Sequence, residues 1–298
     1  MAEQTVDART RPAAPTGGGP EDGRPRRVRQ GSHLVAHLVL GGGALLMAFP
    51  FAWQLVMSLS SNAEVQSVTP TFWPQTLQWG NYAEVFTRLP FLDQFRNSVV
   101  ITLVRVLAQI LFCTLAGYAF ARMRFRGRNV LLAAVLSILM VPSQVYLLAQ
   151  YQIVQDLGLL DSLGGLVLPG LFSAFGTFLM RTAFLGMPDE LEEAARLDGA
   201  NPFQVFWRIM LPLARPNISV LAITSTLWSW NELLWPLVVS TYSERMPLSA
   251  GLATLISDRT TDYPVVMAAS LLAMAPVLVL FVVLQRRVID GLASSGLK

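Results

Sequence analysis

The chain has 298 residues, 53% of them hydrophobic and only 14% charged, with 22 basic and 19 acidic side chains. Soluble domains carry about 25% charged residues, so the composition argues for a membrane protein. Of the basic residues 21 are Arg and one is Lys, the last residue Lys298, which excludes a P-loop ATPase and a Schiff-base enzyme, while the single Cys113 excludes an internal disulfide and a multi-Cys zinc site.

Residues 1–33 are rich in Pro, Gly and Arg and poor in large apolar groups. Such a segment cannot bury enough surface to offset its ordering entropy, which predicts a disordered tail. His33 and His37 stand where the first apolar stretch begins, but no Glu follows His33 to make an H-E-x-x-H metal motif. From 30 to 63 there is no Asp, Glu, Lys or Arg. A bilayer core needs a helix of roughly 20 apolar residues, and a signal-peptide core is only about 7–15 residues long. The stretch therefore predicts a retained span near 34–58. A loop follows over 59–96, and the next span, 97–121, is apolar except for Arg105. The charge-free window 129–155 predicts a third span near 130–150. Residues 162–180, ending at Arg181, predict a fourth near 163–184. Residues 216–240, apolar except for Glu232, predict a fifth near 215–240, and the charge-free window 263–285 a sixth.

The expected fold is an all-α integral membrane protein of six transmembrane helices. Pro50, Pro142, Pro169 and Pro276 lie inside these spans, where kinks are tolerated if neighbours or a water-filled cavity satisfy the backbone. Cys113 reads as a small buried apolar residue.

Loop charge sets the orientation. With the N-terminus in the cytoplasm, 17 of the 22 basic residues fall on inside segments, four fall outside (Arg88, Arg96, Arg245, Arg259) and Arg105 falls in the membrane. The bias puts both termini in the cytoplasm. It accounts for the net charge of +3 without a nucleic-acid partner, since no basic stripe alternates with aromatics. Trp53, Trp73 and Trp79, then Trp228, Trp230 and Trp235, sit where an outer aromatic belt belongs. Trp228 and Trp230 also have rings suited to stacking on a sugar.

The stretch between the fourth and fifth spans is the most informative. Pro188 suits a first helical turn, and Asp189, Glu190, Glu192 and Glu193 crowd the positive end of that helix. Gly199 is a natural stop; Asn201 then caps a second helix with Pro202 at its first position, running through Phe203, Val205, Phe206, Trp207 and Ile209 before Pro212. Two short helices with a sharp corner thus project into the cytoplasm, as a connector or as a docking element.

Glu193-Ala194-Ala195, Gly199 and Ile209-Met210-Leu211-Pro212 closely resemble the E-A-A…G…I-x-L-P loop of the permease subunits of binding-protein-dependent ABC importers. Asp198-Gly199-Ala200 fits the carbohydrate-uptake branch, the maltose-permease G-like subfamily. Asn81-Tyr82, Asn97-Ser98, Tyr118-Ala119-Phe120-Ala121-Arg122, Met140-Val141-Pro142, Trp230-Asn231-Glu232, Gln285-Arg286-Arg287 and Gly291-Leu292 follow the same order, so the resemblance covers roughly 34–298. It implies a type I ABC importer permease fold, with a permease domain over 34–298 and a coupling loop at about 187–212. Glu192, Glu193, Ala194, Ala195, Asp198, Gly199, Ile209, Leu211 and Pro212 would be the ATPase-coupling residues. The implied partners are a second six-span permease subunit, two cytoplasmic ATPase subunits and an extracytoplasmic solute-binding protein, in a prokaryotic plasma membrane. The chain itself would be non-catalytic and hold no cofactor, ATP and Mg being bound by the ATPase subunits. Sugars, oligosaccharides and glycerol-phosphate-type polyols all remain open as substrates.

Charges inside a membrane are functional candidates by default. Arg105 and Glu232 both fall in the outer leaflet, where they could pair or line the pathway. Trp228, Trp230, Asn231, Glu232 and Arg105 are the candidate pathway residues. The rival class is an ion-coupled secondary transporter, which commonly shows midplane carboxylates or inverted repeats; neither is found. An aspartyl intramembrane protease would need a pair of intramembrane Asp, and there is none.

Overall fold

The computed structural model describes residues 31–69, 72–256 and 261–295. The expected tail as far as residue 30, together with Arg259 and Lys298, lies outside them. Every regular element among the described residues is helical. The chain divides into two units, Met1–Pro50 and Phe51–Lys298. In the first, the helix Gly31–Ser58 begins, and its side chains from Val35 to Pro50 are all exposed. Apolar and uncovered over this length, that surface suits hydrocarbon rather than water.

Among the described residues, three helices are long and apolar enough to cross a bilayer: Val35–Ser58, Phe91–Arg122 and Tyr263–Leu280. The Phe91–Arg122 helix is 32 residues long, about 48 Å at ~1.5 Å per residue. Two further segments are bent pairs, Arg128–Met140 with Ser143–Asp156 at 106° and Leu163–Gly170 with Ala174–Leu185 at 40°. The stretch 215–240 is a helix Arg215–Trp230, then a break, then Leu234–Val239. The third, fourth and fifth expected spans are therefore not single straight helices.

Proline explains each break. Val141 is extended ahead of Pro142 (φ −100°, ψ 120°), as the clash with a following proline ring demands. Pro169 has no N–H for the Gly165 carbonyl four residues back; the Trp235 indole donates there instead, at 3.1 Å. The neighbouring Leu166 carbonyl accepts from the Arg105 guanidinium, and the Gly170 carbonyl from Gln109 Nε2 at 2.7 Å. A helix running unbroken through 231–233 would set Pro236 against the Glu232 carbonyl. The helix stops at Trp230 instead, and the Ser249 hydroxyl donates to that carbonyl. Non-helical backbone within a membrane segment persists where protein groups or a water-filled cavity satisfy it, and here protein groups do. Pro50 and Pro276, by contrast, sit inside continuous helices.

The family-like pairs outside the elbow are pins. Asn81 Nδ2 donates to the Ser58 and Ser60 carbonyls at 2.9 and 3.0 Å, closing the end of the first helix. Asn97 Nδ2 donates to the Glu244 and Met246 carbonyls, and the Ser98 hydroxyl accepts from the Leu248 amide at 2.8 Å.

Asp161 makes a further tie. At φ 52° it turns its carboxylate onto the Thr241 and Tyr242 amides, while Arg245 donates to its carbonyl at 2.7 Å. The backbone donors, Thr241 foremost, hold the Asp161 carboxyl below its ordinary value. A depressed folded value means that the stabilisation is present above the usual aspartate range, about pH 4, and is lost as pH falls through the lowered value. Amide exchange checks this. Protection of Thr241 and Tyr242, corrected for intrinsic rates, is expected to hold from neutral pH to the ordinary aspartate value, to fall below it, and to be lost at neutral pH in Asp161→Ala.

Candidate functional site

Two places combine chemistry with position. The first is the elbow. Its leading helix is Glu190–Leu197, so Pro188 stands one residue before the N-cap Asp189 rather than inside the first turn. Gly199 ends that helix at φ +84°. The Ala200 amide bonds the Ala195 carbonyl and the Gly199 amide the Arg196 carbonyl, the paired bonds of a Schellman stop. Asn201 and Gln204 form a reciprocal capping box with Pro202 at the first helical position. The second helix does not end before Pro212. It widens into a π turn over Phe206–Met210 and continues through Leu211–Leu213, which accommodates a proline with no N–H to give.

Arg122, the last residue of the Phe91–Arg122 helix, holds the elbow in place. Its side chain is 8% exposed. It donates to the Phe184 and Met187 carbonyls, where the Ala174–Leu185 helix ends, and pairs with Asp189 and, at 3.5 Å, with Glu192. A cation suits that carbonyl-rich helix end. Glu192 is buried between Arg122 and Arg196, the latter 3.3 Å away. Behind it the Tyr118 ring lies 5.4 Å from Phe184 and 4.9 Å from Phe206.

The expected coupling residues thus divide into two sets. Glu192 and Ala195 are buried, and Ala195, Ile209 and Leu211 pack on the protein's own core. Glu193, Ala194, Asp198 and Gly199 face outward, and Pro212 is half-buried. Leu197 is 88% and Phe203 69% exposed beside them, an apolar pair that sequence patterning did not single out.

The second place is a polar cavity of about 490 Å³, lined by Arg105, Gln109, Ser173, Ser225, Trp228, Asn231 and Glu232 among others. Arg105 is 5% exposed and ion-paired with Glu232. Gln109, one turn along, accepts from the Ser225 hydroxyl at 2.6 Å. Arg105 and Glu232 also line a smaller cavity of about 150 Å³ with Tyr146, Gln150 and Trp235. Trp228 is exposed, its ring 5.3 Å from that of Phe175. Trp230 is not among the residues lining either cavity: it packs on Phe95 and donates to the Ala273 carbonyl. Gln109 escaped the sequence reading, although an amide four residues from Arg105 on an apolar helix was a visible signal. In the sequence Arg122 stands out only as a loop charge and as the end of the family-like Tyr118-Ala119-Phe120-Ala121-Arg122 stretch, with no role in holding the elbow.

Comparison with known proteins places these features in context. Residues 109–293 match the family model described as "Binding-protein-dependent transport system inner membrane component". The chain is 36% identical over 258 residues to the arabinooligosaccharides transport system permease protein AraQ of Halalkalibacterium halodurans, covering 86% of this chain and 92% of that one. It is 34% identical over 275 residues to the sn-glycerol-3-phosphate transport system permease protein UgpE of Pectobacterium atrosepticum, covering 90% and 98%. It is also similar to a chain in the crystal structure of a bacterial ABC transporter that imports the acidic polysaccharide alginate. The TM-score there is 0.75 and the identity 27%, covering 88% of this chain and 98% of that one.

Proposed function

Since this chain belongs to the inner-membrane permease components of binding-protein-dependent ABC importers, we propose that it forms half of a sugar-conducting pathway and receives the ATP-driven stroke through its 187–212 elbow. It is a non-catalytic subunit, as its relatives are permease proteins. In this reading the chain crosses the membrane six times, the broken segments each making one crossing, with both termini in the cytoplasm. A second permease subunit completes the pathway. Two ATPase subunits bind ATP and Mg, and an extracytoplasmic protein delivers a sugar or related polyol.

The observation that carries the reading is the two-sided elbow. Inward, Arg122 ties it to the ends of two helices that lie in membrane-length segments. Outward, Glu193, Ala194, Leu197 and Phe203 stand free, offering charge, close approach and apolar anchors to a partner. A force on the outer face therefore reaches the 91–122 and 174–185 helices directly.

Gly199→Asp tests the coupling role. A Cβ at Gly199 meets nothing within 4 Å, so the internal cost is the left-handed backbone alone, about 1 kcal/mol. The subunit is expected at normal level in the membrane. Uptake should nevertheless fall at least about tenfold, because the new charge and bulk stand where the partner docks. Near-normal uptake at normal subunit level would sink the assignment. Vanadate-resistant uptake that follows a proton or sodium gradient would favour an ion-coupled carrier instead.

A further inference from the structure

The relatives differ in the charge of what they carry. An arabinooligosaccharide is neutral, whereas sn-glycerol 3-phosphate and the acidic polysaccharide alginate are anions. The polar cavity bears on which class this chain serves. We infer that the cavity holding the Arg105–Glu232 pair is a passage site for uncharged polyhydroxyl compounds, neutral saccharides or polyols, and that it discriminates against anionic ones. The inference rests on the permease reading above and narrows its substrate class.

Among the described residues, Arg105 and Glu232 are the only charged side chains lining either cavity. Arg105 is already engaged, by Glu232 and by the Leu166 carbonyl. Gly170 backs directly onto it: a Cβ there would stand 2.4 Å from Arg105 Nε, and Nε itself has no hydrogen-bond partner. The guanidinium is walled in and cannot swing out to meet a phosphate or carboxylate. Glu232, by contrast, has a side chain 33% exposed. One of its oxygens takes Arg105, and among the described residues the other has no protein donor. Asn231 uses its amide nitrogen on the Leu227 carbonyl, which leaves its carbonyl oxygen free.

The open oxygens of Glu232 and Asn231 are acceptors, and the Ser229 hydroxyl, also without a partner, can donate or accept; together they suit hydroxyl compounds. Trp228 adds an exposed ring face at the same cavity, the amphipathic surface on which a sugar's C–H face packs. An anion entering here would meet the partly exposed side of the Glu232 carboxylate and a guanidinium already engaged by it. The pair leaves the cavity with no net charge, and the volume of about 490 Å³ lies within the ~300–1,000 Å³ of small-molecule sites. Arg105 is a positioning residue in this scheme: it neutralises Glu232 and fixes it to the broken fourth segment.

The test uses the whole importer, this chain with its partner permease, ATPases and binding protein, in proteoliposomes. Labelled maltose, arabinotriose and glycerol are offered beside sn-glycerol 3-phosphate and an oligouronate. At least one neutral compound should be imported, about tenfold or more faster than either anion, the discrimination expected of a site whose open groups repel the wrong charge. Faster import of an anion overturns the inference and leaves the permease reading standing. Import of none overturns the inference and the sugar-uptake reading beneath it, while membership of the permease family stands on the comparisons.

Because the binding protein also selects, variants locate the effect in this chain. Glu232→Gln leaves Arg105 uncompensated and should slow the imported neutral sugar by about tenfold. The double variant Arg105→Gln with Glu232→Gln restores neutrality and should return to within about threefold of the original. A double variant no faster than Glu232→Gln alone overturns the charge-balance argument. Trp228→Ala touches an exposed ring and should fold normally, with uptake down about fivefold. Unchanged uptake in that variant overturns the site.

Discussion

Replacing Arg122 by Ala is expected to abolish uptake and to reduce the amount of subunit found in the membrane. One side chain here makes two ion pairs and bonds two carbonyls at a helix end. Its loss leaves the buried Glu192 with only Arg196, whose side chain is 57% exposed. Removing one partner of a buried pair costs about 3–5 kcal/mol, because the remaining charge stays in a medium that solvates it poorly. That is a large fraction of a typical folding stability of about 5–15 kcal/mol. Arg122→Lys should rescue little, since an ammonium cannot reach two carbonyls and two carboxylates in the fixed geometry of a guanidinium. Immunoblotting of membranes together with labelled-sugar uptake provides the check. A normal subunit level with normal uptake in Arg122→Ala would show that the elbow is held by something else.

Gly117→Leu should be nearly as damaging, by packing rather than charge. The Phe91–Arg122 and Ala174–Leu185 helices cross closely at Gly117. A Cβ there would stand 2.6 Å from Met180 Cβ and 2.8 Å from the Arg181 backbone nitrogen. Small residues let membrane helices approach to this distance. Backbone cannot yield as a flexible side-chain tip can, so even Gly117→Ala is expected to cost about 1–3 kcal/mol. Leu would force the helices apart and carry the Tyr118, Phe184 and Phe206 cluster with them. The expected result is a graded loss of detergent-solubilised thermal stability, from Ala to Leu. Equal melting of Gly117→Leu and the original would contradict the crossing geometry.

Much of the fold was legible because charge depletion reports directly on burial in hydrocarbon. The windows at 30–63 and 263–285, and the 97–121 segment, each correspond to a helix of membrane length. The breaks were less legible, since hydropathy counts residue types and is blind to backbone direction. Pro50 and Pro276 looked like kink sites, yet their helices continue. Their neighbours are all apolar, whereas Pro142, Pro169 and Pro236 have Ser143, Gly170 or Asn231 close by. At Pro142 and Pro169 a second weak helix former, Ser143 or Gly170, directly follows the proline, whereas apolar residues flank Pro50 and Pro276. The elbow was readable down to its caps, because Gly199, Asn201 and Pro202 act locally. The inward turn of Glu192 and Ala195 was not, as it depends on Arg122, 70 residues away in sequence. The Arg105–Glu232 pairing was one of two open alternatives; the cavity and its neutralised charge depend on the packing of segments far apart in sequence.

The carbonyls released around Pro169 have a mechanical meaning. Gly165, Leu166 and Gly170 are held by Trp235, Arg105 and Gln109, which belong to two other elements. Sliding the broken fourth segment against either neighbour would strip several backbone acceptors of their side-chain donors at once. In the transport cycle proposed above, these three elements are expected to travel as one piece. The compliance that lets the conduit open has to be sought at its margins, where pieces meet without shared polar bonds, and the places where the helices break are among its stiffest joints.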